Sequence, residues 1–271
     1  MRNLSLVLIA MLATACEPTT VDDQATEEST KDAVQSGLSA TPASVYAEAV
    51  ANPSRLAEDR ARDADRKPAA VLEFIGIEPD MTVLDMFAGG GYYTEIIAHI
   101  VGENGKVIAQ TNEAYISFVG AEFEHRFGND RLPNVEILMA ENNELELSAG
   151  SVDAIMLVLS FHDIYSANPE QGWPKIDVPA FLAELHKALR SGGRVGIIDH
   201  YAAAGSPAET GNTTHRIDPA IVIADMNAAG FVLQAQSDML RNPDDDYSKS
   251  VFEPTLRGKT DRFVMRFVKA D

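Results

Sequence analysis

Residues Val83–Ala98 read VLDMFAGGGYYTEIIA. An apolar run ends at Asp85, the glycines Gly89, Gly90 and Gly91 follow, and from Tyr92 the apolar positions recur at helical spacing. Strand, glycine turn and helix, in that order, open a βα unit of an open α/β sheet. In such sheets ligands bind beyond the carboxyl ends of the strands, near the first crossover. Glycines there let the backbone approach a bound molecule, and the next helix presents its N-terminal N–H groups. Two phosphate-binding signatures are excluded. The dinucleotide fingerprint needs a glycine where Thr94 stands, and the Gly-Lys-Ser/Thr of a P-loop is absent. What remains is Asp-x-x-x-Gly-x-Gly, on Asp85, Gly89 and Gly91.

Outward from this turn the chain alternates. TVLDMF, GKVIAQT, NVEILMA, SVDAIMLVLSFHD and GGRVGIIDHY predict strands, while YYTEIIAHIV, DVPAFLAELHKAL and DPAIVIADMNAAG predict helices. That alternation predicts a doubly wound, mostly parallel, Rossmann-like sheet. FVLQAQSDML and DRFVMRFVKA close it without a helix between them, which predicts an antiparallel C-terminal edge. Upstream, ASVYAEAVANP and SRLAEDRARDADRKPAAVLEFIGI carry helical spacing, with Ser54 as an expected N-cap and Pro68 as an interruption.

The 271 residues carry a formal net charge of −19, which excludes a phosphate backbone as partner, since nucleic acid needs a basic surface. No protein partner is predicted. The one cysteine, Cys16, rules out an intramolecular disulfide and a cysteine-based zinc site. Arg2, the apolar run LSLVLIAML and the small residues of ATAC have the layout of a secretory signal peptide, too short to span a bilayer core of about 30 Å. A cysteine directly after small residues resembles the lipobox of bacterial lipoproteins, although Ala13 stands where that family usually has Leu. The resemblance implies a signal peptide over 1–15 and lipidation of Cys16. Glu17 after the cysteine implies sorting to the outer membrane, facing the periplasm. Residues 16–42, rich in Ser, Thr, Asp and Glu and without an aromatic, cannot bury enough surface to offset their ordering entropy and predict a solvated tether. The folded domain is expected over 43–271, with the lipid as its only membrane contact.

The Asp85–Gly91 turn resembles motif I of the class I S-adenosylmethionine-dependent methyltransferases. Two further segments follow that family in order, NVEILMAENNELELSAGSVDAIML and FLAELHKALRSGGRVGIIDH. More narrowly, DMFAGGGYYTE, SFHDIY and THRID look like a little-characterised group of predicted bacterial methyltransferases. The resemblance implies S-adenosyl-L-methionine as cofactor, held by Asp85, Phe87, Ala88, Gly89, Gly90 and Gly91, with Glu141 and its neighbour Asn142 at the adenine. One piece departs from the pattern. The acid that usually takes both ribose hydroxyls is missing after the second strand, where Gln110, Thr111 and Asn112 offer neutral hydrogen bonds instead.

Three polar clusters fall at strand ends: His162 with Asp163, Asp199 with His200, and His215 with Arg216. Methyl transfer is an in-line displacement that needs a positioned nucleophile and, for some acceptors, a base. His162, the first choice, or His200 fits the base, and Arg216 fits a clamp on an acceptor carboxylate or phosphate. Asp163, Asp199, His200 and His215 are also ligand types for a divalent ion. Their spacing is not that of a metal motif, so no metal is expected. Tyr92 or Tyr93 fits either the cofactor pocket or the core, and Trp173 either a lid or an exposed loop. Two functions follow: an exported methyltransferase acting on a small molecule, or a non-catalytic envelope ligand-binding lipoprotein on the same fold.

Overall fold

The computed structural model describes residues 44–270. The expected signal peptide over 1–15, Cys16 and the expected tether over 16–42 lie outside the described residues. Four short helices lead in: α1 (Val45–Ala51), α2 (Ala57–Arg60), α3 (Asp63–Arg66) and α4 (Pro68–Ile75). Pro68 does not merely interrupt. It sits in the first turn of α4, where its missing N–H costs nothing, and Gly76 closes that helix at φ 84°. Ser54 caps no helix; its hydroxyl pairs with His99 Nε2 at 3.4 Å.

The alternating part follows as β1 (Thr82–Met86), α5 (Tyr92–Val101), β2 (Lys106–Thr111), α6 (Glu113–Phe127), β3 (Val135–Met139) and β4 (Val152–Val158). Then come α7 (Val178–Ala188), β5 (Leu189–His200), α8 (Gly211–Thr214), α9 (Pro219–Ala228), β6 (Phe231–Ser237) and β7 (Arg262–Lys269). The strands form one seven-stranded sheet in the order β3-β2-β1-β4-β5-β7-β6. Pairing is parallel from β3 through β5, and β7 is antiparallel to both neighbours. The expected antiparallel C-terminal pair is therefore present, with β7 inserted between β5 and the outermost strand β6.

Each face of the sheet carries its own core. Val71, Leu72 and Ile75 of α4 and Ile96, Ile97 and Val101 of α5 pack on one face. Phe181, Leu182 and Leu185 of α7 and Val222 and Met226 of α9 pack on the other. Asp177 and Asp218 cap α7 and α9, accepting from Ala180 N at 3.0 Å and Ala220 N at 2.9 Å.

α6 behaves differently. Only Ala114 and Arg126 are buried along it, its backbone breaks at Gly120, and Phe118 is 75 % exposed. Arg126 ties its end to the glycine turn, donating from Nε to Gly90 O at 2.7 Å and pairing with the buried carboxylates of Asp59 and Glu95. Nearby, Arg55 grips Asp63 with two bonds of 2.8 Å, and Tyr92 donates to the same carboxylate at 2.6 Å. The charged run RLAEDRARDADR thus supplies a buried ion-pair cluster that binds the lead-in helices to the turn after β1.

Candidate active site

At the carboxyl edge of β1, β4 and β5 lies a cavity of about 450 Å³. Phe87, Ala88, Gly89 and Gly90 line one side, and His162, Asp163, His200 and His215 line another. Tyr115, Trp173, Phe118 and Phe252 close it with aromatic surface, and Arg62, Arg66 and Tyr92 form a third wall. Tyr92 therefore faces the cavity. Trp173 packs edge-on against Tyr115, ring centres 4.9 Å apart, so this loop does cover the site. Three of the lining residues, Phe87, Leu159 and His215, hold left-handed backbone with φ of 52°, 56° and 55°. Such conformations cost energy in non-glycine residues and concentrate at functional sites.

The histidine cluster is built from three loops. His162 Nδ1 lies 2.8 Å from Asp199 Oδ1, and the His162 backbone N–H donates to Asp199 Oδ2 at 2.9 Å. On its other side His162 Nε2 lies 3.2 Å from Asp163 Oδ1. Asp163 Oδ2 accepts the Tyr115 hydroxyl at 2.7 Å. Burial disfavours a charged His162, but the Asp199 and Asp163 carboxylates outweigh it and lift its pKa to about 9. Burial and the neighbouring His162 and arginine charges push His200 the other way, well below its usual value. These shifts favour the proton on His162 and disfavour it on His200, which moves the expected base from His162 to His200. His200 Nδ1 is fixed 2.7 Å from the Thr260 hydroxyl.

Arg216 is not available as an acceptor clamp. It is fully buried, joined to Asp245 by two bonds of 2.9 Å, and also donates to the carbonyls of Tyr201 and Lys249. Asp85 lies beneath the turn and outside the lining, its Oδ2 accepting the Thr94 hydroxyl at 2.5 Å. Burial raises its carboxyl to about 7, against the opposing Thr94 hydrogen bond. Gln110 holds the turn from below, accepting Phe87 N–H at 3.0 Å and donating to Ala140 O at 2.8 Å and Asn142 Oδ1 at 3.2 Å. Asn112 caps α6 through Tyr115 N at 3.0 Å and donates to Glu141 Oε2 at 3.3 Å. Thr111, Asn112, Glu141 and Asn142 thus form one contiguous group on the far side of the turn, outside the cavity lining.

The site fits the cofactor in part. Gly89 opens towards free space, with only Phe87 O within 4 Å of an added Cβ. The buried hydroxyls of Thr111 and Ser160 have no partner among the described residues, which suits a ligand rich in hydroxyls and ring nitrogens. Gly90 and Gly91 are covered instead: an added Cβ would collide with the Glu122 carboxylate at the first and with Phe127 and Arg126 at the second. Sequence reasoning missed Tyr115, Phe118 and Glu122 because it assigned no element between β2 and β3. Asn112 at an N-cap, with His125 and Arg126 in the last turn, was the available signal.

Residues 23–144 match the sequence family described as protein-L-isoaspartate(D-aspartate) O-methyltransferase. A ubiquinone/menaquinone biosynthesis C-methyltransferase, UbiE, of Hahella chejuensis is 25 % identical over 126 residues, 46 % of this chain and 45 % of the relative. The chain thus spans about half the length of the curated relatives it matches. A SAM dependent methyltransferase structure from Aquifex aeolicus superposes with a TM-score of 0.55 at 24 % identity, over 79 % of this chain and 95 % of the other. The fold is that of the class I S-adenosylmethionine-dependent methyltransferases. The same fold carries the 4+2 cyclase SpnF, with a TM-score of 0.54 at 14 % identity over 81 % of this chain and 86 % of the other. The fold alone therefore does not fix the reaction.

Proposed function

We propose that this protein transfers a methyl group from S-adenosyl-L-methionine to a small acceptor, as an exported lipoprotein anchored through Cys16 in the outer membrane. The observation that carries the transfer is the single cavity that joins the glycine turn to the histidine cluster. Phe87–Gly90 would hold the methionine end of the cofactor, and Thr111, Asn112, Glu141 and Asn142 its ribose and adenine. Bound there, the cofactor supplies a sulfonium methyl to a nucleophile in line with it. Four aromatic rings at the mouth favour an acceptor with a flat apolar body. His200, neutral and facing the cavity, takes the acceptor's proton, and a base so placed contributes about 10²–10⁴-fold.

Calorimetric titration with S-adenosylmethionine and S-adenosylhomocysteine tests the reading, with binding of one molecule per chain expected. Once an acceptor is found, His200→Ala should slow single turnover while cofactor affinity stays within about twofold. The export half rests on the signal-peptide layout. It is checked by fractionation and mass spectrometry of the mature N-terminus, and an intact Met1 on an unlipidated protein would refute it. A second reading, a binding lipoprotein without transfer, is favoured by Glu122 and Phe127 lying over Gly90 and Gly91. Absence of any heat with either cofactor form would leave that reading alone.

A further inference from the structure

We propose that His162, Asp163 and His215 form a site for a divalent transition-metal ion in the wall of the cavity. One ligand atom from each of the three lies within 4.8 Å of the others. His162 Nε2 is 3.2 Å and His215 Nδ1 is 3.9 Å from Asp163 Oδ1. The second separation is too long for a hydrogen bond. An ion with bonds of about 2.0–2.2 Å holds its ligand atoms roughly 3–3.5 Å apart. Small side-chain rotations of the half-buried Asp163 and His215 close that gap.

The outer contacts are those a metal site requires. Asp199, fully buried, takes the Nδ1 side of His162 at 2.8 Å and thereby aims Nε2 into the cavity. This is the carboxylate–histidine–metal arrangement, with the ion displacing the Nε2 proton that His162 otherwise shares with Asp163. Tyr115 occupies Asp163 Oδ2 at 2.7 Å and leaves Oδ1 for the ion. His215 projects from the end of α8 on left-handed backbone, φ 55°, and Phe252 packs edge-on to its ring at 4.7 Å. Three protein ligands on one side of an open cavity leave positions for an exogenous oxygen or sulfur. Two imidazoles and one carboxylate favour zinc, iron, cobalt or manganese over magnesium or calcium. Sequence spacing argued against a metal because the ligands come from two loops that meet only in the fold. The ion's role rests on the methyl-transfer reading: an acceptor hydroxyl or thiol held there releases its proton to His200 more readily. Its existence does not.

The test uses the full chain stripped of metal and titrated with Zn²⁺ by calorimetry and with Co²⁺ by visible absorption. We expect one ion per chain at micromolar affinity or tighter, with a Co²⁺ spectrum of low coordination number. His215→Ala and Asp163→Asn should each weaken binding at least tenfold with circular dichroism unchanged. Asp199→Asn, acting through His162, should weaken it about 10–100-fold. No uptake by the wild-type chain at millimolar Zn²⁺, or uptake unchanged in both His215→Ala and Asp163→Asn, overturns the proposal. S-adenosylhomocysteine titration of the same preparation separates the two ideas. Cofactor binding without metal sinks only the metal site, and metal binding without cofactor sinks only the transferase.

Discussion

Gly89 presents its open side to the cavity at φ 56°, so a side chain there both strains the backbone and fills ligand space. Gly89→Val should weaken S-adenosylhomocysteine binding at least a hundredfold, with the far-ultraviolet circular dichroism retained; unchanged affinity in a folded variant removes the turn from the cofactor site. Thr111 offers a complementary test. Its hydroxyl is buried without a partner, a state that costs about 1–3 kcal/mol. Thr111→Val should therefore raise the unfolding free energy of the free protein by about 1 kcal/mol. The same change should loosen the cofactor, a pairing of effects that calorimetry and denaturant titration read together. At this scale much was legible. A glycine turn after an apolar strand announces its purpose through backbone freedom, and histidines at strand ends announce titratable chemistry. Which partners they meet was not. Nothing local in the sequence pairs Arg216 with Asp245 or aims His162 between two aspartates.

Among the elements, the strands were readable because burial on both faces leaves nearly continuous apolar runs, as in β4, where five of seven residues are buried. α6 was not, because it packs no apolar stripe against the sheet and takes its place from Asn112 at one end and Arg126 at the other. Between these anchors its Glu122 carboxylate covers Gly90. Glu122→Ala should uncover the turn and tighten S-adenosylhomocysteine about 3–10-fold, roughly 0.7–1.4 kcal/mol. A weaker complex would mean instead that Glu122 contacts the ligand.

Taken whole, the molecule sets two buried carboxyls against each other in pH. Burial opposes ionisation of Glu95, but hydrogen bonds from His99 and Arg131 and the charges of Arg126 and Arg131 win, and its pKa falls to about 2 from 4.5. Its stabilisation is complete above pH 4.5 and is lost as pH falls towards 2. Asp85 has the opposite sign. Raised to about 7 from 3.8, it costs stability as pH climbs through that window. Asp85→Asn should thus be more stable than wild type at pH 8, by up to about 4 kcal/mol at roughly 1.4 kcal/mol per pKa unit, and nearly equal to it at pH 4. Urea unfolding at both pH values checks this, and an equal gain at both would point to packing. The seven-stranded order bears on biogenesis as well. Because β7 follows β6 in the chain yet lies between β5 and β6, β6 has no neighbouring strand, and β5 only β4, while the ribosome is still upstream of Arg262. A nascent chain in that condition holds five parallel strands with the β5 edge still open. In stalled chains carrying a C-terminal extension, protease protection of residues 231–237 should appear only once residues 262–269 have cleared the exit tunnel, and earlier protection there would contradict it.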